Sequence, residues 1–238
     1  MAINNPIVTD SEWLQAAAVA IQNKDGGSKM EVPDFASRIE QNLQSKAVLD
    51  SLIARTATII ESDTTSVGAY AFHENHKIET IKLNSALSCD SYAFSTCTNL
   101  RNIEMDNLTS FTGGYAFQQC TSLTEVNLPK LQEIKQYLFL NCTSLIRAMF
   151  MSATYLNATP FQGCASFTTL ILGKRASLIN RYVLDDNPNC IIYVQPEDLS
   201  WYSTATNWST LYAQDRIKSI EDLTGDDLVW YQEQLARY

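Results

Sequence analysis

Thiols are the most reactive groups in this chain, and their placement decides what chemistry to expect of it. Six cysteines are present, and four of them, Cys97, Cys120, Cys142 and Cys164, recur at intervals of 23, 22 and 22 residues. Metal binding calls for close pairs such as Cys-x-x-Cys, and none occurs. A disulfide needs specific Cα and Cβ geometry that even spacing does not supply. Cysteines at a fixed period read instead as small buried hydrophobes with free thiols. The only histidines, His73 and His76, flank Glu74 at a spacing that would offer two metal ligands on a helix; a surface position is expected. Asp185-Asp186-Asn187 has oxygen ligands for calcium but lacks the alternate-position pattern of a dedicated loop. There is no G-x-S-x-G elbow and no Gly-rich phosphate loop. No catalytic residue, cofactor or metal ligand is assigned, and the expectation is a protein that is not an enzyme.

The cysteine interval is one column of a longer repeat. Phe72, Phe94, Phe117, Phe139, Phe161 and Leu184 stand 22 to 23 residues apart. Three residues after each lie Asn75, Cys97, Cys120, Cys142, Cys164 and Asn187, and three further on Ile78, Leu100, Leu123, Leu145, Phe167 and Cys190. A short alternating stretch follows in each unit, with Ile81 and Leu83, Ile103 and Met105, Val126 and Leu128 facing inward, which predicts one short strand per repeat. No unit has enough apolar surface to close a core alone. Stacking must bury these columns against neighbouring units, giving a solenoid with parallel strands.

Two outward features of this repeat are candidates for recognition. Tyr70, Tyr92, Tyr115, Tyr137 and Tyr182 stand two residues ahead of their anchors in five of six units. Packing between repeats accounts for such a column, and so does an amphipathic stripe suited to sugars or protein surfaces. The outward strand positions drift from polar to apolar, from Thr80 and Lys82 to Arg147 and Met149, then Thr169 and Ile171. Arg147, Met149, Met151 and Ile171 therefore mark an expected contact near the C-terminal repeats.

The run Tyr92-Ala93-Phe94-Ser95-Thr96-Cys97-Thr98-Asn99-Leu100, echoed at Tyr115 to Leu123, resembles the BspA-type leucine-rich repeat. The resemblance covers about residues 64 to 220. It continues into Ile192-Tyr193-Val194, Tyr202 and Ala205-Thr206-Asn207-Trp208-Ser209, similar to the segment that closes such arrays. It implies an α+β solenoid of about six repeats, flanked here by N-terminal and C-terminal helices. Asn in place of Cys in the first and last units, and Pro160 in the fifth, depart from the pattern; atypical end repeats suit caps.

Ahead of the repeats, Thr9-Asp10-Ser11-Glu12 is a capping-box pattern, and Trp13, Leu14, Ala17, Ala18 and Ile21 follow. Asp25-Gly26-Gly27 breaks this helix near Asn23, and Pro33 opens a second one carrying Phe35, Ile39 and Leu43. The stretch from Ala20 to Ile39 resembles a short N-terminal module of tail and minor structural proteins of phages and prophages. That resemblance implies attachment to other virion proteins through Trp13, Leu14, Phe35 and Ile39. At the far end, Thr224-Gly225-Asp226-Asp227 is a helix start with acidic residues at the positive end of the dipole, and Leu228, Tyr231 and Leu235 are expected on its buried face. The tail is expected to pack back on the solenoid.

Charge separates the same three parts. Residues 66 to 194 carry nine basic and nine acidic side chains, so the net charge of -9 comes from the ends. That sign excludes phosphate backbones, and nucleic acid is not an expected partner. The start has neither a basic nor an apolar signal region, and no apolar run approaches the roughly 18 residues of a spanning helix, so no membrane insertion is expected. The expected organisation is a helical attachment module at 1–60, the solenoid at 61–196, and a cap with an acidic helical tail at 197–238. The function implied is a non-enzymatic phage virion protein that presents the repeats to a host surface protein or glycan, and a homo-oligomer would add avidity. The alternatives are a bacterial cell-surface adhesin and a purely architectural virion component.

Overall fold

The chain divides into two units, residues 1–53 and 54–238. The computed structural model describes residues 58–237, except positions 180 and 185 and the side chains of residues 181 and 182. The expected N-terminal helices, with Trp13, Leu14, Phe35 and Ile39, lie outside the described residues.

Each turn of the solenoid has three sides. One carries the longer strands β1 (Ile59–Glu61), β3 (Thr80–Lys82), β5 (Asn102–Glu104), β7 (Glu125–Asn127), β9 (Arg147–Phe150), β11 (Thr169–Leu172) and β13 (Ile191–Val194). A second carries two-residue strands, β2 (Ser66–Val67), β4 (Ser88–Cys89), β6 (Ser110–Phe111), β8 (Glu133–Ile134), β10 (Tyr155–Leu156) and β12 (Ser177–Leu178). The third is the turn that holds the anchor Phe. All ladders are parallel, and partners such as Ile81 and Ile103, or Leu170 and Ala148, stand in register. The sequence predicts one strand per turn; the second is missed because two residues are too few to show alternation.

Burial follows the columns. Phe94, Phe117, Phe139 and Phe161 are fully buried, with successive rings 5.3, 5.5 and 5.7 Å apart and within 5° of parallel. Backbone bonds hold that separation: Phe94 N–H donates to the Ala116 carbonyl at 2.9 Å and Phe117 N–H to Leu138 at 3.0 Å. The expected polar drift of the strand side also appears, Asn102 being exposed while Met149 and Ile171 are fully buried.

One interval breaks the regularity. Tyr115 follows Phe111 by four residues, whereas Tyr92 follows Cys89 by three, and Gly113-Gly114 takes up the extra residue. A Cβ on Gly114 would lie 2.1 Å from the Gln136 carbonyl oxygen, so only glycine fits there. Both strand ladders stop at this level. One long-strand sheet ends at β5 and the other begins at β7, and the short-strand sheets part between β6 and β8.

The C-terminal segment closes the column. After α1 (Leu199–Tyr202) and α2 (Ser209–Ala213), β14 (Ile217–Ser219) pairs with β13. Trp208 and Tyr202 are fully buried, the indole N–H donating to the Ala176 carbonyl. A capping box at Ser219 turns the chain, and α3 (Gly225–Leu235) packs back across the outer face of the long strands, as the sequence predicts.

Candidate functional site

Tyr70, Tyr92, Tyr115 and Tyr137 form a continuous stack. Centroids lie 5.0, 4.8 and 5.1 Å apart; the first two pairs are within 5° of parallel and the last is tilted by 32°. The stack runs without a gap past the level where the strand ladders stop. The His73 ring stands at 87° to that of Tyr70, with centroids 5.5 Å apart. Thr159 takes the tyrosine position in the fifth turn, ending the stack there. The side chain of Tyr182 lies outside the described residues.

The backbone under these rings is left-handed. Tyr70, Tyr92, Tyr115 and Tyr137 have φ of 58, 59, 67 and 56°, a region that costs a residue bearing a Cβ roughly 1–2 kcal/mol. Glycine would occupy it without that cost. Ring pairs of this kind contribute about 0.5–1.5 kcal/mol beyond area burial, which offsets the strain. Replacing Tyr115 by alanine keeps the strain and loses both contacts, whereas glycine loses the contacts and relieves the strain. Denaturant melts are therefore expected to rank wild type, then Tyr115→Gly, then Tyr115→Ala, the variants differing by about 1 kcal/mol. Equal stability of the two would mean that the backbone there is unstrained.

Tyr70 is 56% exposed and the other three rings are half-buried. None of the four hydroxyls has a hydrogen-bond partner among the described residues, and none is a buried orphan atom. Partial burial, and then the neighbouring phenols of Tyr92 and Tyr137, raise the pKa of Tyr115. Beside the rings lie Asp90, whose carboxylate accepts from Thr112 Oγ1 at 2.6 Å, Ser91, and the bare backbone of Gly113-Gly114. The glycine pair is not legible from the repeat, because it occurs in one turn alone, and its signal is a Gly-Gly step in a chain with eight glycines.

The second candidate surface is corrected by the structure. Met149 and Ile171 are fully buried beneath Trp230, Ile220 and Leu223, so the partner of that apolar patch is the chain's own tail. Arg147 is held there as well. Its guanidinium contacts Asp227 at 3.2 Å and Glu125 at 3.3 Å, donates to the Asp226 carbonyl at 2.9 Å, and lies 5.6 Å from the centre of the Trp230 ring. Thr169 donates to Asp227 at 2.7 Å. On α3 the buried side chains are Trp230 and Gln234. Leu228 and Tyr231 flank the patch, and Leu235 is 44% exposed, so the helix is turned by about one residue from the expected face.

All six cysteines are buried with free thiols. Cys97, Cys120, Cys142 and Cys164 donate to the carbonyls of Phe72, Phe94, Phe117 and Phe139, the anchors of the preceding turns, at 3.0 to 3.3 Å. Burial disfavours the thiolate: the pKa of Cys97 is pushed up to about 12, and those of Cys120 and Cys142 well above the usual thiol range. Because the thiolate is the reacting species, a thiol reagent is expected to label none of the six in the native protein and all six after denaturation. Rapid native labelling of the column would contradict this placement. His73 Nε2 lies 3.5 Å from Glu74, and His76 Nδ1 lies 3.0 Å from Thr98 Oγ1, so the two rings engage different partners. Among the described residues no group of three His, Cys, Asp or Glu is placed to hold a metal.

Solved structures to which the solenoid is similar include three bacterial proteins. A leucine rich cell surface protein from Faecalibacterium prausnitzii shares 19% identity over 55% of this chain and 36% of that chain, with a TM-score of 0.49. The T. pallidum leucine rich repeat protein TpLRR shares 26% over 55% of this chain and 62% of that chain, with a TM-score of 0.47. The pneumococcal vaccine antigen PcpA shares 14% over 68% of this chain and 39% of that chain, with a TM-score of 0.51. This chain thus spans less than two thirds of the length of each. No curated protein matches it. The BspA type leucine rich repeat model matches in six copies over residues 65–192, more than half of the sequence and the same span that holds the Phe, Cys and Tyr columns, and the chain belongs to that family.

Proposed function

We propose that the chain is a non-enzymatic recognition protein whose solenoid presents the tyrosine ladder to a host or bacterial surface, as a cell-surface adhesin does. One observation carries this reading: four rings are held in a stack on left-handed backbone, with every hydroxyl unbonded among the described residues. The left-handed backbone recurs at Thr159 and at Glu74, Thr96, Gln119 and Asn141, so it belongs to the turn; what points to a role for the ring is that tyrosine occupies it in four successive turns. Membership of the BspA-type leucine rich repeat family supports the adhesin setting. Among the described residues no helix is long and apolar enough to cross a membrane. A second setting, a phage particle holding residues 1–60 against other virion proteins, is supported by the likeness of Ala20 to Ile39 to phage tail modules.

Two measurements test these readings. The double variant Tyr115→Ala/Tyr137→Ala, checked for folding by circular dichroism, is expected to lose binding to cells that the wild type binds; full retention would remove the ladder from recognition. Fractionating a producing culture into cells, medium and density-purified particles then separates the settings. Signal on the envelope supports the adhesin, and stoichiometric signal in particles supports the virion protein.

A further inference from the structure

We infer that the tyrosine ladder binds an extended, uncharged, β-linked polysaccharide running parallel to the solenoid axis. This deepens the recognition reading and rests on it. With rings 4.8 to 5.1 Å apart, the faces between them are covered, and a ligand meets ring edges and hydroxyls. Each turn thus offers one free phenol at the spacing of parallel strands, about 4.8 Å. A ligand engaging several rungs at once must repeat with that period or a whole multiple of it. In a fully extended β-1,4-linked pyranose chain each sugar is turned over relative to the last, so the chain repeats every second sugar, over about two rungs, and carries hydroxyls on every unit. An extended peptide returns a side chain to the same side only about every 6.6 Å, and falls out of register within two rungs.

Charge and shape agree with this ligand. The nine basic and nine acidic side chains of residues 66–194 leave no net field to hold a polyanion. Asp90, with Thr112 on its carboxylate, and Ser91 offer polar partners to sugar hydroxyls beside the rings. The absence of a Cβ at Gly113 and Gly114 lets the Ser91 side chain and the Gln136 carbonyl pack directly on that backbone. The ladder is also finite, because Thr159 follows Tyr137 at this position, so affinity should stop growing once the ligand spans four rings.

The test is calorimetric titration of the full chain with linear β-linked oligomers of glucose and of N-acetylglucosamine of increasing length, and with α-linked glucose oligomers, which coil, as controls. Affinity is expected to rise with length in at least one β-linked series, level off when the four rings are spanned, and be absent for the α-linked series. Tyr92→Phe/Tyr115→Phe preserves the stack and removes two hydroxyls, and should weaken binding about tenfold at unchanged melting temperature. No binding in either β-linked series, affinity independent of length, or equal binding by the Phe variant would each overturn the inference. If the Ala variant loses cell binding while no oligomer binds, the ladder reads a protein and only the glycan inference falls. If the Ala variant still binds cells, the recognition reading falls as well.

Discussion

Phe117→Ala is expected to destabilise the protein by about 3–5 kcal/mol, toward the upper end of that range. The ring is fully buried, stacked on Phe94 at 5.3 Å and Phe139 at 5.5 Å, and met edge-on by Phe111 at 6.0 Å. Cavities cost most where the surroundings cannot collapse. Here the neighbouring turns are held apart by the bonds of Phe94 N–H to Ala116 and Phe117 N–H to Leu138, and the Phe117 carbonyl is engaged by the Cys142 thiol. The two flanking rings cannot close on the void without breaking those bonds. For a chain of this size the change corresponds to a fall in Tm of roughly 10 °C, read by thermal melting. Phe72→Ala, in the first described turn with a single stacked neighbour, should cost less. Equal costs would mean that the stack is not the unit of stability.

Trp230→Ala is expected to release α3 from the solenoid. The indole is 4% exposed, covers Met149 and Ile171, and is the ring over which Arg147 sits. Truncating a buried Trp costs about 3–5 kcal/mol, comparable with all that an eleven-residue helix has to hold it down. The repeats should survive, since each turn is held chiefly by its neighbours. Hydrogen exchange is expected to lose protection in 225–235 while the β9 and β11 amides keep theirs, and a hydrophobic dye should bind the uncovered patch. Retained protection in α3 would show that the Arg147, Asp227 and Thr169 contacts hold the helix without the indole.

These expectations show which parts of the architecture are written in sequence periods. Columns such as Phe94, Phe117 and Phe139, or Cys97, Cys120 and Cys142, are legible because one residue type must recur wherever a turn buries it against its own image. Two-residue strands leave no such trace. The apolar drift through Met149 and Ile171 announces a covering partner, but not which one, because the cover comes from residues 49 to 81 positions further along the chain. Helical spacing named Leu228, Tyr231 and Leu235, whereas the sheet selects Trp230 and Gln234: Trp230 fills the apolar patch and Gln234 answers Asn127 at 3.0 Å. The tyrosines are legible by position, and their left-handed backbone is not, since a residue with a Cβ is not expected at such an angle.

The interruption of both strand ladders between the third and fourth turns gives the tail a mechanical role. In a linear stack, fraying from an end travels until it meets a junction stronger than the one before, and loss of two ladders makes this junction the weak one. It is bridged from outside. Rooted over β9 and β11, α3 ends where β5 and β7 part, with Gln234 bonded to Asn127 on one side and Arg237 within 4.0 Å of Asp106 on the other. A polar cavity of about 120 Å³ remains beneath that bridge. The helix is a splint across a fracture: it couples the first three turns to the rest of the column, so the rigidity of the tyrosine stack is set in part by residues on another side of the molecule.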